Sequence, residues 1–515
     1  MKSYSMRLHA VFFIILLYMS SCSREEHPGS EESQPNIIVI LADDLGWSDL
    51  GCYGSEINTP NLDRLANTGM RFTQFYNTSK CFPSRAALLT GLYAQQVGYG
   101  TTFKNPIVNG ITLGEALKLG GYRTLWSGKH HGNERPTDRG FDRYFGLRDG
   151  AANHFNPGLQ REGEVKPAQK RVRTWYIDST RYQPFTPPNK DFYSTDEYTR
   201  YALQWLEEYK DEKAPFFLYL AYTAPHDPLM AWPDDIKKYR GKYSAGYEVI
   251  RKNRFEKQKK IGLIGDNYQL PEATYESWDQ LSEVQRDEED LKMAVYAAMV
   301  DRMDQNIGKV LGKLSAMGQR ENTLIIFLSD NGSSAEVVNL EGTGEIGTMG
   351  RWTSLGADWA NVSNTPFRYY KNYSYEGGIN TPMIVNWPVT IKTPGVVDDF
   401  YGHFIDIMPT LLEVAAITYP EEYKGEPILP PAGTSFANIL HKREVRRDRP
   451  VFWEWGDGKA VRKDHWKAVS HNNQEWDLYN LEIDPTEANN LAEQRPEIVK
   501  ELVRLFDNWQ KKMNR

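Results

Sequence analysis

The chain is poor in cysteine, with three in 515 residues. That excludes a disulfide-stapled scaffold, so a chain of this length must rest on a large core, divided over more than one subdomain. An excess of positive charge is also missing. The net charge of −7 gives no bulk attraction for nucleic acid or another polyanion, and an anionic substrate needs cations placed locally. There are no internal repeats. The N-terminal apolar stretch, residues 10–19, is too short to cross a bilayer as a helix. With 40% hydrophobic and 25% charged residues, the composition is globular rather than disordered. Aromatic side chains are plentiful at 13% of residues, including 14 Trp and 30 Tyr. Most serve core packing, and stacking on sugars is a second use.

Residues 1–22 read as an export signal rather than a fold element. Lys2 and Arg7 form the basic end, and the apolar stretch follows. Met19-Ser20-Ser21-Cys22 resembles a bacterial lipobox with Cys22 as the lipidated residue; cleavage of a plain signal peptide is the alternative. Polar residues 23–34 carry no apolar pattern and read as a tether. The expectation is an exported bacterial lipoprotein at the outer membrane, at the cell surface or in the periplasm, touching a membrane only through its N-terminal lipid.

Residues 36–41 form a continuous apolar, β-branched run, the pattern of a strand buried on both faces in a parallel sheet. The run ends in Asp43-Asp44. Residues 324–328 behave alike and end in Asp330-Asn331-Gly332. Adjacent carboxylates after a buried strand repel each other unless a cation sits between them. Ligands of open α/β sheets bind beyond the carboxyl ends of strands, so both acidic pairs belong on one edge. Three carboxylates and an amide oxygen make a hard oxygen cage, suited to Ca²⁺ or Mg²⁺ rather than zinc. Further strands are expected over 122–127, 216–222 and 380–385, with helices over 59–68, 113–118 and 291–314. The basic stretch 237–260 and the acidic stretch 282–290 read as solvated helices and loops. Residues 342–359, rich in glycine, read as an irregular substrate-facing loop. From about residue 449 short alternating runs at 451–455, 459–462, 466–470 and 476–481 predict a small antiparallel sheet, closed by a helix over 496–511.

Between these lies Lys80-Cys81-Phe82-Pro83-Ser84-Arg85-Ala86-Ala87-Leu88-Leu89-Thr90-Gly91. Pro83 suits the first turn of a helix and Gly91 its stop, which puts Cys81 just ahead of a helix N-terminus, where an anion is favoured. The string resembles the modification signature of the formylglycine-dependent sulfatases, in the alkaline phosphatase superfamily. Gly128-Lys129-His130-His131 resembles that family's Gly-Lys-Trp-His segment, with His130 in place of the tryptophan. Pro225-His226-Asp227-Pro228 resembles its Pro-His-x-Pro turn, and the segment 358–378, holding Lys371, its arylsulfatase counterpart. The resemblance runs from about residue 35 to the C-terminus.

It implies an α/β fold with a large, mostly parallel sheet flanked by helices over 35–440, and a small antiparallel sheet plus helix over 441–515. It implies a Ca²⁺ site, less readily Mg²⁺, made by Asp43, Asp44, Asp330, Asn331 and a modified Cys81. In this family the cysteine becomes formylglycine, which requires a separate formylglycine-generating enzyme and leaves Cys52 without a partner. The hydrated aldehyde offers two hydroxyls on one carbon. One attacks sulfur; the other loses its proton so that the carbon collapses to aldehyde and expels sulfate. Arg85 and Lys129 orient the hydrate, His131 is the base, Lys129, His226 and Lys371 bind the substrate, and His226 with Lys371 protonates the leaving alcohol. The implied substrate is a sulfated carbohydrate or aryl sulfate. The alternatives are a phosphonate monoester or phosphodiester hydrolase of the same superfamily and, in another class, a glycan-binding surface lipoprotein whose Cys81 stays a thiol.

Overall fold

Alternation within single strands explains the architecture. In the first strand Ile38, Ile40 and Ala42 enter one apolar core while Ile37, Val39 and Leu41 enter another. A strand that is apolar on both faces has to lie in the middle of a sheet covered on both sides. The computed structural model describes residues 34–340 and 342–513. The export segment 1–22, Cys22 and the tether up to residue 33 lie outside the described residues.

The main sheet contains β1 (Asn36–Asp43), β2 (Met70–Tyr76), β3 (Arg123–Gly128), β4 (Arg143–Leu147), β5 (Trp175–Ile177), β6 (Thr180–Tyr182), β7 (Phe216–Pro225), β8 (Thr323–Ser329), β9 (Asn380–Asn386), β10 (Val396–Asp398) and β11 (Gly402–His403). Their order is β10-β2-β9-β8-β1-β7-β3-β4-β5-β6, with β11 beside β2. β1 runs parallel to β7 and β8, and β3 parallel to β7 and β4; β9 is antiparallel to both β8 and β2. The expected mostly parallel α/β sheet is therefore present, with antiparallel pairings at β9 and at the β5–β6 edge. A two-stranded hairpin pairs β12 (Glu422–Tyr423) with β13 (Glu426–Pro427). The C-terminal region carries β14 (Val451–Trp455), β15 (Gly458–Lys463), β16 (Trp466–His471) and β17 (Asp477–Asn480), antiparallel in sequence order. The helix Pro496–Met513 packs on it through Leu502, Phe506 and Trp509, the last stacking on Phe452 at 5.1 Å.

Three expectations need correction. The acidic stretch 282–290 is not a separate solvated segment. Ser282 and Gln285 form a reciprocal cap, so the long helix starts early and runs Glu283–Ala316, and buried Asp290 accepts from the amides of Gly241 and Tyr243. The basic stretch is half right. The helix Tyr247–Lys260 exposes Lys252 and Lys260 and half-buries Lys257 and Lys259, but it buries Arg251, Arg254 and Gln258. Arg254 pairs with Asp49 at 2.6 Å and Glu56 at 2.8 Å. Finally, the helix Cys81–Thr90 starts at Cys81 itself, with Lys80 as the flanking residue, rather than after it. Gly91 closes it with φ 69°, a left-handed conformation that a side chain would strain.

The helix Pro60–Asn67 has no cap from its own flanking Thr59. Asp304, on the long helix, supplies one: its carboxylate accepts from the amides of Leu62 at 2.8 Å and Asn61 at 3.2 Å and from the Asn61 side chain at 2.8 Å. Asp304→Ala strips these donors of their acceptor and is expected to lower stability by about 1–3 kcal/mol in a denaturant melt. An unchanged melt would show that another group caps that helix.

Candidate active site

Sheet order brings the motifs together. β1 and β8 are neighbours with Ala42 opposite Ser329, so the next residues, Asp43 and Asp330, leave the sheet side by side. β7 flanks β1 on its other side and delivers His226; β3 beyond it delivers Lys129. Gly128 makes that approach possible. Its φ is 128°, and a Cβ there would sit 1.8 Å from the Ala221 carbonyl oxygen on β7. Cys81 arrives at the head of the helix after β2, and Lys371 on the irregular segment before β9.

The resulting centre is buried. Ligand atoms of Asp43, Cys81 and Asp330 lie within 4.8 Å of one another, as do those of Asp43, Asp44 and His226. Lys129 Nζ is 2.6 Å from Asp43 Oδ2, and Arg85 is 2.7 Å from Asp330 Oδ2. Lys371 Nζ is 2.9 Å from the Asp44 carboxylate, and Asn331 donates to Asp44 Oδ1 at 2.6 Å. Arg85 also donates to the Lys129 carbonyl at 3.0 Å, tying the helix Cys81–Thr90 to the end of β3. Asp43, Asp44, Cys81, Arg85, Lys129, His226, Asp330, Asn331 and Lys371 are thus in one cluster, His131 lies close enough to feel the charges of Lys129, Arg85 and His226, and Cys22 lies outside the described residues.

Two buried oxygens, Asp43 Oδ1 and Asn331 Oδ1, have no hydrogen-bond partner. Both belong to the expected oxygen cage, and an orphaned acceptor pair beside crowded carboxylates fits a hard divalent cation. The proton affinities agree with that crowding. Burial would raise Asp43, but Lys129, His226, Arg85 and Lys371 hold it below the usual carboxylate range. Burial and the neighbouring Asp43 push Asp330 up to about 6, against the pull of Arg85.

The two histidines are driven apart. Burial and the cations Lys129 and Arg85 hold His131 well below the ordinary imidazole value, and its Nδ1 is buried with no partner. Burial also opposes protonation of His226, yet Asp44 and Asp43 outweigh it and push the ring up to about 9. At neutral pH the first is therefore neutral and the second protonated. His130 turns against Trp126 at 4.9 Å, whereas His131 lies against Phe82 at 5.7 Å and Phe103 at 4.8 Å. The Cys81 thiol is pushed up by burial, opposed by Lys129 and Lys371 and aided by Asp330 and Asp43, so it is not a ready thiolate.

Sequence reasoning missed several supporting residues. Asp227 lies 2.9 Å from His226 Nδ1 and is itself held by Ser354 Oγ at 2.5 Å and Trp352 Nε1 at 3.2 Å. The glycine-rich loop thereby braces His226. His154 Nε2 sits 3.1 Å from the His226 carbonyl. Asp49, besides binding Arg254, accepts from Gly46 at 2.9 Å and Tyr296 at 2.6 Å and so fixes the turn after Asp44. Glu336 meets Lys80 and Lys371 at the rim. One signal was available for Arg254: Tyr247, Ile250, Arg254, Phe255 and Gln258 share a helical stripe.

Carboxylates and an amide with two unpartnered oxygens, three buried cations, and a neutral histidine beside a protonated one fit a hydrolase centre for an anionic ester. Residues 35–417 match the Sulfatase family, and residues 367–512 match the family described as N-sulphoglucosamine sulphohydrolase, C-terminal. An uncharacterized sulfatase of Schizosaccharomyces pombe is 35% identical over 92% of this chain and 93% of its own length. An arylsulfatase of Klebsiella aerogenes is 36% identical over 80% of this chain and 93% of its own. A solved structure, Ps i-CgsB with k-i-k-neocarrahexaose, is 25% identical, covers 92% of each chain and superposes with a TM-score of 0.67. The chain belongs to the sulfatase family, in the alkaline phosphatase superfamily, and is a sulfuric ester hydrolase.

A cage with orphaned oxygens should bind a dication in the resting protein. Adding Ca²⁺ or Mg²⁺ to metal-stripped protein is expected to raise its melting temperature. At a hundredfold excess over the dissociation constant the gain corresponds to about 2.7 kcal/mol. Asn331→Leu should abolish the rise; a melt indifferent to both ions in the unaltered chain would sink the cage.

Proposed function

We propose that this protein is an exported lipoprotein sulfatase acting on O-sulfated carbohydrate, and on aryl sulfates as simpler substrates, through formylglycine at position 81 and a bound Ca²⁺. One observation carries the reading: the Cys81 sulfur is grouped with Asp43 and Asp330 in a buried pocket lined by Arg85, Lys129 and Lys371. The carbohydrate preference draws on the neocarrahexaose bound by the structural relative. It also draws on the half-buried aromatics Phe103 and Trp455, which pack against Phe82 at 5.6 and 5.0 Å.

Asp43, Asp44, Asp330 and Asn331, with the oxidised side chain at 81, would hold the cation, and Ca²⁺ suits an all-oxygen, carboxylate-rich set better than Mg²⁺. The cation supplies charge neutralisation and lowers the pKa of a bound hydroxyl. The aldehyde supplies, as its hydrate, a nucleophilic hydroxyl and a second one through which sulfate is expelled. Arg85 and Lys129 hold the reacting carbon's oxygens. Lys371, itself buried, takes sulfate oxygens and offsets their charge. His131, neutral because of burial and cationic neighbours, accepts the proton from the second hydroxyl. His226, protonated beside Asp44 and held by Asp227, gives its proton to the departing alcohol. The formylglycine-generating enzyme is a required partner, and the lipid on Cys22 is the membrane contact.

Two variants test this. Cys81→Ser, lacking the second hydroxyl, is expected to give at most one turnover per molecule in a burst assay; repeated turnover would refute the double-hydroxyl logic. His226→Ala should slow a sugar sulfate about 10²-fold or more and 4-nitrophenyl sulfate much less, because nitrophenolate leaves without a proton. Equal losses on both would remove His226 from the acid role. The mass of the peptide containing residue 81 separates turnover from simple glycan binding, and comparing aryl sulfate with phenylphosphonate esters separates sulfatase from phosphonate hydrolase.

A further inference from the structure

Glu336 stands out among the charged groups of the centre. Its side chain is 41% exposed, on an irregular segment five residues beyond Asn331, and its polar contacts are made within the site. Oε1 is 2.5 Å from Lys80 Nζ and 3.3 Å from the Asn372 side-chain nitrogen, and Oε2 is 2.9 Å from Lys371 Nζ. Lys371 already has the Asp44 carboxylate at 2.9 Å. The lysine therefore needs no second anion for its own neutralisation. Lys80 adjoins Cys81 in the chain, so Glu336, itself partly exposed, bridges two lysines beside the residue that an ester anion has to reach. Burial would raise its pKa, but Lys371 and Lys80 more than offset that and keep it ionised.

We propose that Glu336 is a specificity-determining residue that discriminates by charge, admitting monoanionic esters and penalising dianionic ones. The inference rests on the sulfatase reading of this pocket. A sulfate monoester carries one negative charge at every pH of interest. A phosphate monoester carries close to two above its second pKa of about 6. The geometry of the two esters is otherwise nearly the same, so a hydrogen-bonding pocket alone separates them poorly. A fixed carboxylate beside the anion's binding lysines supplies the repulsive element that discrimination between isosteres needs. It removes one unit of positive charge from the doorway and meets the second charge of a phosphate at close range.

The test uses the full mature chain, unaltered and as Glu336→Gln and Glu336→Asp, each co-expressed with the cysteine-oxidising enzyme and checked by mass for equal modification. Three matched substrates are compared at about pH 8, where the phosphate is a dianion: 4-nitrophenyl sulfate, 4-nitrophenyl phosphate and 4-nitrophenyl phenylphosphonate, the last a phosphorus ester with a single charge. Glu336→Gln is expected to raise kcat/KM for the phosphate at least about tenfold relative to both monoanions, the equivalent of about 1.4 kcal/mol. Glu336→Asp, which keeps the charge, should keep the parent ratios. A parallel rise for phosphate and phenylphosphonate would overturn the proposal, because selection would then follow the element. A common gain or loss on all three would also overturn it and leave Glu336 as a positioning group for Lys371. Turnover of 4-nitrophenyl sulfate by the unaltered chain checks the sulfatase reading separately. If that turnover is absent, thermal shifts with inorganic phosphate and methyl sulfate still decide: tighter phosphate binding in Glu336→Gln alone supports the filter, and unchanged relative binding refutes it.

Discussion

Two parallel strands in adjacent register force carboxylates together in the interior, and the rest of the site answers that constraint. Once Ala42 lies opposite Ser329, Asp43 and Asp330 cannot avoid each other, and Asp44 follows within the same turn. Burying three such groups without compensation is prohibitive. Arg85, Lys129 and Lys371 each arrive from a different element to meet one of them. Even so, Asp43 Oδ1 and Asn331 Oδ1 are left without a protein donor. The fold has stored electrostatic frustration at a single point, and catalytic centres are where such frustration concentrates.

The surroundings keep those charges in place. Asp49, Arg254 and Tyr296 brace the turn behind Asp44, while Asp227, Ser354 and Trp352 brace His226. The C-terminal sheet is joined to the rest by a buried ion cluster in which Lys467 sits 2.8 Å from Glu376 and 2.7 Å from Glu487. It also reaches the centre directly, because Trp455 at the end of β14 packs on Phe82 and donates to Asn372 at 3.0 Å.

Much of this was legible in the residues. Apolar runs that end in Asp43-Asp44 and Asp330-Asn331 announced strands with functional tips, because a strand buried on two faces has little choice of register or layer. The signature around Cys81 and the turn at His226 carried the chemistry. The failures share a cause. Arg254 and Asp290 belong to charged stretches whose average character is solvated, and only the path of the chain shows which members turn inward. Asp227 and Glu336 work through partners more than 30 residues away, Ser354 and Lys80 among them, a relation that no local pattern encodes. Strands β2 and β4 escaped notice because Arg71, Thr73 and Gln74 interrupt the apolar character of β2, and β4 is only five residues long with Arg143 at its head.

All ten residues of the helix Cys81–Thr90 are buried, with Cys81 itself 2% exposed and Arg85 1%. Any enzyme that modifies a side chain within this string needs it open. It finds it so only on a chain that has not yet collapsed. Trp455, at the end of β14 late in the chain, packs over Phe82 and covers the string further. Under the proposed formylglycine reading, maturation of the thiol would be a race against folding, and a host that folds this chain quickly or lacks the oxidising partner would accumulate well-formed but inert protein.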